Sequence, residues 1–332
     1  MEILFLGTSA GTPTRQRTMS GVALRLRGAR QWVLVDCAEG TQHRILRTPL
    51  SLMSLRAVFI THMHGDHCYG LPGLLASAGM LGRSEALTIV GPPPLRGMID
   101  AIMAASELTL PYPLTYLTPD ELGDASLLQS SLPDLTVEAT ALSHRIPCWA
   151  YAFTESALER RLDTDKLRAD AVPSSSLWGD LQRGRDIALE DGRRIVASDY
   201  LLPPRRARRI VVAGDNDTPE LLAQAAHAAD VLVHEATYTE EVLQKVGPGP
   251  QHSSALRVAR FAQEAGVRNL VLTHFSPRYQ DGGALPLSLL EDEARSAYDG
   301  SLVLARDLDH FVLDRTGELR RAADSAQTPT GT

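Results

Sequence analysis

The chain has 332 residues, 44% of them hydrophobic, enough to bury one large core or two small ones. A formal net charge of −7 argues mildly against a protein that coats nucleic acid by bulk attraction, though not against an enzyme that holds a polyanion at one local site. No apolar run reaches the roughly 18 residues a membrane-spanning helix needs, so no membrane segment is expected.

Glu2–Leu6 and Val22–Leu26 read as strands joined by a polar loop from Gly7 to Ser20. Met1–Leu6 carries no basic leader or cleavage site, and Cys37, Cys68 and Cys148 have no framework spacing, so a cytoplasmic chain without disulfides is expected. Gln31–Val35 is a third strand ending at Asp36, and Thr41–Leu46 starts a helix. Ala57–Thr61 is a short apolar and β-branched run of the kind buried on both faces of a sheet. It is followed within six residues by His62, His64, Asp66 and His67. Side chains two apart in extended chain point the same way, so His62 and His64 can grip one ion, while Gly65 turns Asp66 and His67 toward a second. Cys68 follows as a packing residue rather than a thiolate ligand.

Leu71–Leu81 and Leu95–Ser106 read as helices flanking a strand at Leu87–Val90. Leu135–Leu142 alternates as a strand and ends at Ser143-His144. From Glu155 to Arg194 the chain becomes charge-dense and poor in apolar residues, an excursion from the core that is either a solvated insertion or a functional arm. Arg205, Arg206, Arg208 and Arg209 fit either a phosphate contact or a solvated lead-in to the strand Ile210–Ala213, which ends at Gly214-Asp215. Leu221–Ala228 is a helix. Val231–Val233 is a strand running into His234-Glu235, where Glu235 is either an acceptor for a catalytic imidazole or a structural carboxylate. His252 stands before a helix over Ser253–Glu264, as part of a helix start or as a non-ligand acid near the metals. Asn269–Thr273 is a strand ending at His274; a helix over Ser288–Tyr298 and strands near Leu302–Ala305 and His310–Leu313 follow. A frayed tail is expected over residues 321–332, leaving 1–320 as one domain with 155–194 inserted.

His62, His144, Asp215 and His274 all stand just beyond a strand, which gathers them at one edge of the fold. Two ions need about seven protein groups if one carboxylate bridges. His62, His64 and His144 serve one, Asp66, His67 and His274 the other, and Asp215 lies between. Imidazoles and carboxylates without thiolate suit zinc, and manganese or iron fit the same donors. Hydrolysis is the chemistry to expect.

The motifs LGTSAGTPT (Leu6–Thr14), DCAEGTQHRIL (Asp36–Leu46), FITHMHGDHCYGLPGLL (Phe59–Leu75), SHRIPCWAY (Ser143–Tyr151), VVAGDN (Val211–Asn216), VLVHEATY (Val231–Tyr238), His252-Ser253-Ser254 and LTHFSPRY (Leu272–Tyr279) take the likeness further. Together they resemble ribonuclease Z, short form, within the metallo-β-lactamase superfamily. The resemblance implies an α/β fold, an αββα sandwich with a protruding flexible arm, and a homodimer with two zinc ions per subunit. It implies an endoribonuclease that removes the 3′ trailer from precursor tRNA near the discriminator nucleotide, leaving a tRNA 3′-hydroxyl and a trailer 5′-phosphate. Asp66 would orient or deprotonate the attacking water, and His252 would stand at the scissile phosphate as a proton donor. The Glu155–Arg194 excursion would be the arm that clasps tRNA away from the cut, since RNA read by shape needs backbone contacts distant from the chemistry. Pro13–Thr18 is similar to the family's PxKxRN loop, with Arg15 and Thr18 in place of its lysine and asparagine. Ser174-Ser175-Ser176 replaces the Gly-Pro-rich arm tip, Ala38 replaces a usual glycine, and Asn216-Asp217 stands where the family tends to have Thr-Arg. The competing expectation is a small-molecule phosphodiesterase or other hydrolase of the same fold, which would need no remote clasp.

Overall fold

The computed structural model describes residues 1–322 apart from Ala125 and Glu159. The chain forms two compact units, Met1–Thr154 together with the chain from Arg208 onward, and Glu155–Ala207.

In chain order the strands of the first unit begin with β1 (Glu2–Gly7), β2 (Gly21–Arg25), β3 (Trp32–Val35), β4 (Leu55–Phe59), β5 (Leu87–Val90), β6 (Leu114–Leu117), β7 (Leu135–Leu142) and β8 (Cys148–Glu155). The second unit contributes β9 (Ile187–Ala188) and β10 (Arg194–Ile195). The first resumes with β11 (Arg209–Val212), β12 (Val231–Glu235), β13 (Asn269–Thr273), β14 (Ser301–Leu304), β15 (His310–Leu313) and β16 (Leu319–Arg321). The strands of the first unit form two sheets, ordered β16-β15-β1-β2-β3-β4-β5-β6 and β14-β13-β12-β11-β8-β7, and β9 pairs with β10 in a third of two strands.

Residue alternation explains the layering, because successive side chains on a strand face opposite sides. Ile3, Phe5, Val33, Val35, Ala57 and Phe59 of the first sheet meet Tyr151, Phe153, Ile210, Val212, Val231 and Val233 of the second in one buried cluster. The intervening residues face outward: Leu4, Leu34 and Val58 pack with the helices Leu71–Met80 and Pro94–Ala105. Val211, Leu232 and Leu270 pack with Ala255–Glu264 and Ser288–Arg295. The fold is therefore an αββα sandwich, as expected. Phe59 anchors its middle, with ring centroids 5.1 Å from Tyr151 and 5.0 Å from Phe153. The Tyr151 hydroxyl donates to the Ile60 carbonyl at 2.8 Å, fixing the chain just before the histidine-rich loop.

The neighbours β3-β4-β5-β6 run parallel, as do β11-β12-β13-β14, so their carboxyl ends gather into two rows of loops. Three boundaries differ from the sequence reading. The strand before the histidine loop is Leu55–Phe59 rather than 57–61, because the Thr61 N–H and hydroxyl are taken by Asp36 at 2.8 and 2.9 Å. β12 continues through His234 and Glu235, whose ladder partners are Leu272 and Thr273. The helix after His252 begins at Ala255, since the Ser254 hydroxyl caps it by accepting from the Arg257 N–H at 3.2 Å.

The second unit spans 155–207 rather than 155–194, and it is not the core-free excursion its composition promised. Leu167, Val172, Leu181, Ile187, Leu189, Ile195, Ala197 and Tyr200 form a small core of its own. It is built from the helices Thr164–Ala169 and Leu177–Gln182 and the β9–β10 hairpin. Much of its charge is paired internally, Arg183 and Arg185 on Asp180, Arg193 on Asp191, and Arg194 on Asp186. The expected tail, 321–332, lies outside the described residues from 323 on, and its first residue ends β16.

Candidate metal centre

The sequence-predicted residues come together at the sandwich edge in three overlapping groups among the described residues: His62, His64, His144 and Asp215; Asp66, His67 and His274; and Asp215, His252 and His274. In each group the candidate ligand atoms lie within 4.8 Å of one another. Asp215 approaches the histidines of the first two. One of its oxygens is 3.6 Å from His62 Nε2 and 3.7 Å from His144 Nε2; the other is 3.5 Å from His67 Nε2 and 3.4 Å from His274 Nε2. His64 Nδ1 sits 3.0 Å from His62 Nε2 and 3.1 Å from His144 Nε2, and His67 Nε2 sits 3.2 Å from His274 Nε2. Asp66 Oδ2 is 3.6 Å from His67 Nε2 and 3.4 Å from His274 Nε2, and accepts the Gly11 N–H at 2.7 Å.

The outward nitrogens decide which atoms face in. His144 Nδ1 lies 2.8 Å from the Gln251 carbonyl, which can only accept, so that nitrogen carries the hydrogen and Nε2 keeps its lone pair. His67 Nδ1 is 2.7 Å from Asp36 Oδ2, with the same consequence. The Thr61 hydroxyl donates to Asp36 and therefore accepts from His62 Nδ1 at 3.0 Å. The Thr237 hydroxyl donates to Glu235 and accepts from His274 Nδ1 at 3.1 Å. His67 Nε2 and His274 Nε2 thus face each other lone pair to lone pair at 3.2 Å, and His62 Nε2 and His144 Nε2 both aim theirs at His64 Nδ1, which can donate to only one of them. That arrangement is repulsive without a cation, and the gaps approach the edge of about 3.4 Å that tetrahedral zinc with ligands at about 2.0–2.1 Å implies. The donor set fits a pair of divalent ions.

Electrostatics agree. Burial lowers the basicity of His62 and His144 and brings His64 down to about 4, keeping these rings neutral as ligation requires. Burial also opposes a charged His67, yet Asp215, Asp36 and Asp66 around it outweigh burial and raise its pKa well above the ordinary range. Asp215 is held well below the carboxylate range, burial working against it and His274, His67 and His62 prevailing. Cys68 is no thiolate: burial pushes its thiol up to about 12, and Sγ donates to the His64 carbonyl at 3.3 Å.

His252 Nδ1 lies 2.9 Å from Glu235 Oε1 and 3.8 Å from Asp215 Oδ2. Burial alone would lower the His252 ring, but Glu235 and Asp215 raise it to about 9. Sequence reasoning assigned nothing to Asp36, Thr237 or the Gln251 carbonyl, which orient His67, His274 and His144. Only Asp36 left a trace, as one more acid just past a strand. Asp36, Gln251 and His274 all take positive φ, 60°, 53° and 57°, a conformation side chains avoid unless their surroundings impose it. The arginine cluster is largely structural: Arg205 forks onto Glu155, Arg208 is buried and donates to the Leu313 carbonyl at 2.7 Å, and Arg209 pairs with Glu138. In the loop near Asp66, Arg17 is buried and donates to the Tyr279 carbonyl at 2.6 Å, whereas Arg15 is exposed.

A family model described as anti-Pycsar protein Apyc1 matches residues 1–98, less than a third of the chain. Over 330 residues, 97% of this chain and 99% of the relative, the sequence is 53% identical to the ribonuclease Z of Marinobacter nauticus. The chain belongs to the ribonuclease Z family. It is accordingly an enzyme, a hydrolase of the ribonuclease Z type. Among solved structures, the short form of human tRNase Z superposes with a TM-score of 0.63 at 25% identity, covering 95% of this chain and 100% of that one. A metallo-β-lactamase fold protein from Bacillus subtilis shares the fold with a TM-score of 0.60 at 18% identity, covering 93% and 98%. Among the described residues, no helix is long and apolar enough to cross a membrane.

Proposed function

We propose that the chain is a zinc-dependent endoribonuclease that removes the 3′ trailer from precursor tRNA. The observation that carries this reading is Asp215, with one carboxylate oxygen toward each histidine group. His62, His64 and His144 would hold one ion, Asp66, His67 and His274 the other, and Asp215 both. Such a pair supplies Lewis acidity that brings a water's pKa toward neutrality and offsets charge on the phosphoryl oxygens.

Within that frame Asp66, steadied by the Gly11 N–H, orients the attacking water and takes its proton. Water oxygen bonds to phosphorus as the bond to the tRNA 3′ oxygen breaks. That oxygen takes its proton from His252, whose Nδ1 hydrogen is held by Glu235. The products are a tRNA 3′-hydroxyl and a trailer 5′-phosphate. Incubation with a 3′-extended precursor tRNA is expected to give one cut near the discriminator nucleotide, abolished by a chelator and restored by zinc. Cleavage that survives exhaustive chelation would sink the proposal. His252→Ala should lower kcat by about 10²–10⁴-fold with metal content unchanged, as expected of a proton donor; loss of metal would instead make it a ligand.

The proposed homodimer has a candidate face. Leu46 (80% exposed), Tyr69 (67%), Met80 (90%) and Leu81 (64%) are large apolar side chains left in water. The Ser77 hydroxyl donates to Gln42 Oε1 at 2.8 Å, joining the helix capped at Leu46 to the one capped at Leu81. Met80→Asp combined with Leu81→Asp is expected to shift the chain from dimer to monomer in sedimentation velocity; an unchanged dimer would place the interface elsewhere.

A further inference from the structure

Asn216 follows Asp215, the carboxylate that approaches both histidine groups. Its side chain is fully buried and its hydrogen-bonding capacity is used up. Oδ1 accepts from the N–H groups of Ser143 at 3.3 Å and Thr218 at 3.2 Å. Nδ2 donates to the Thr218 carbonyl at 3.0 Å and to His234 Nε2 at 3.2 Å. His234, itself fully buried, dictates which way the amide points. Its Nδ1 is 2.8 Å from the Glu235 carbonyl, so Nδ1 carries the hydrogen and Nε2 needs a donor.

The main chain of Asn216 completes the connection. Its N–H donates to Glu235 Oε1 at 3.0 Å, the same oxygen that faces His252, and its carbonyl accepts from the Ser253 hydroxyl at 2.5 Å. One residue thus ties together the chain segments that carry His144, Asp215, Glu235 and His252.

We propose that Asn216 is a positioning residue for the reaction, its carboxamide holding His144, Asp215 and the Glu235–His252 pair in register with His234 as its fixed partner. This rests on the phosphodiester-hydrolysis reading above. Partners one step behind a metal site typically change activity or metal affinity by about 10- to 100-fold when removed.

The test compares Asn216→Ala, His234→Ala and the double variant as zinc-loaded full chains. Substrates are precursor tRNA and bis-p-nitrophenyl phosphate; metal content and thermal midpoint are measured alongside. The expected result is a kcat lower by about 10- to 100-fold on both substrates in each single variant, with KM for precursor tRNA within about twofold and wild-type metal content. The double variant should be no slower than the slower single, because the two side chains act as one unit. Unchanged kcat, multiplicative losses in the double variant, or a loss of rate matched by a loss of metal would each overturn the assignment. If Asn216→Ala does not fold, Asn216→Asp, of the same shape but without the Nδ2 hydrogens, carries the same comparison. A wild-type chain that turns over the small diester but not precursor tRNA would defeat the substrate reading, and Asn216 would then be judged on the diester alone.

Discussion

Asp215→Ala is expected to strip metal from both positions and to lower cleavage of precursor tRNA by at least about 10³-fold, with the fold retained. The reasoning is geometric. His62, His64 and His144 retain their mutual spacing without Asp215, as do Asp66, His67 and His274, but each group loses the carboxylate that both approach. His64→Ala, by contrast, removes a ligand from one group alone and should leave measurable metal at the other. The fold survives because Asp215 lies beyond the end of β11, and the apolar clusters on both faces of its sheet do not include it. Elemental analysis of the purified variants, read with far-ultraviolet circular dichroism, checks the prediction. Full metal content in Asp215→Ala would mean that the carboxylate is not shared.

Excision of residues 155–207 is expected to abolish cleavage of precursor tRNA while leaving turnover of bis-p-nitrophenyl phosphate within a few-fold of wild type. Thr154 and Arg209 face each other across the β8–β11 ladder, so the ends left by the excision are already neighbours. Asn-Gly inserted before Arg208 makes a three-residue loop between that pair, a common hairpin connection, and should close the gap. The unit removed has its own apolar core, so the sandwich keeps its clusters. A small diester needs only the metal-edge residues, whereas an RNA recognised by shape needs contacts far from the cut. Parallel loss of both activities would refute a separate clasping role and favour a part in assembling the catalytic edge.

Much of this centre was legible because strand-end placement is a periodic signal. His62, His144, Asp215 and His274 follow apolar runs whose burial dictates where they end. The partners that orient them were not legible. The Gln251 carbonyl and the Thr237 hydroxyl reach His144 and His274 through a meeting of distant loops, which no local spacing encodes. The core of the 155–207 unit escaped for a related reason. Leu167, Leu181, Ile187 and Tyr200 are spread thinly among charged residues, and only the tertiary fold brings them into one cluster. The end of β12 was misjudged because His234 and Glu235 are polar yet buried, a cost met by Asn216, Thr237 and His252.

The site at which the smaller unit joins the larger one has an architectural consequence. Because the chain departs and returns across a single rung, whatever is spliced in there changes no strand register. The segment can therefore be lengthened, trimmed or exchanged without displacing a strand of either sheet.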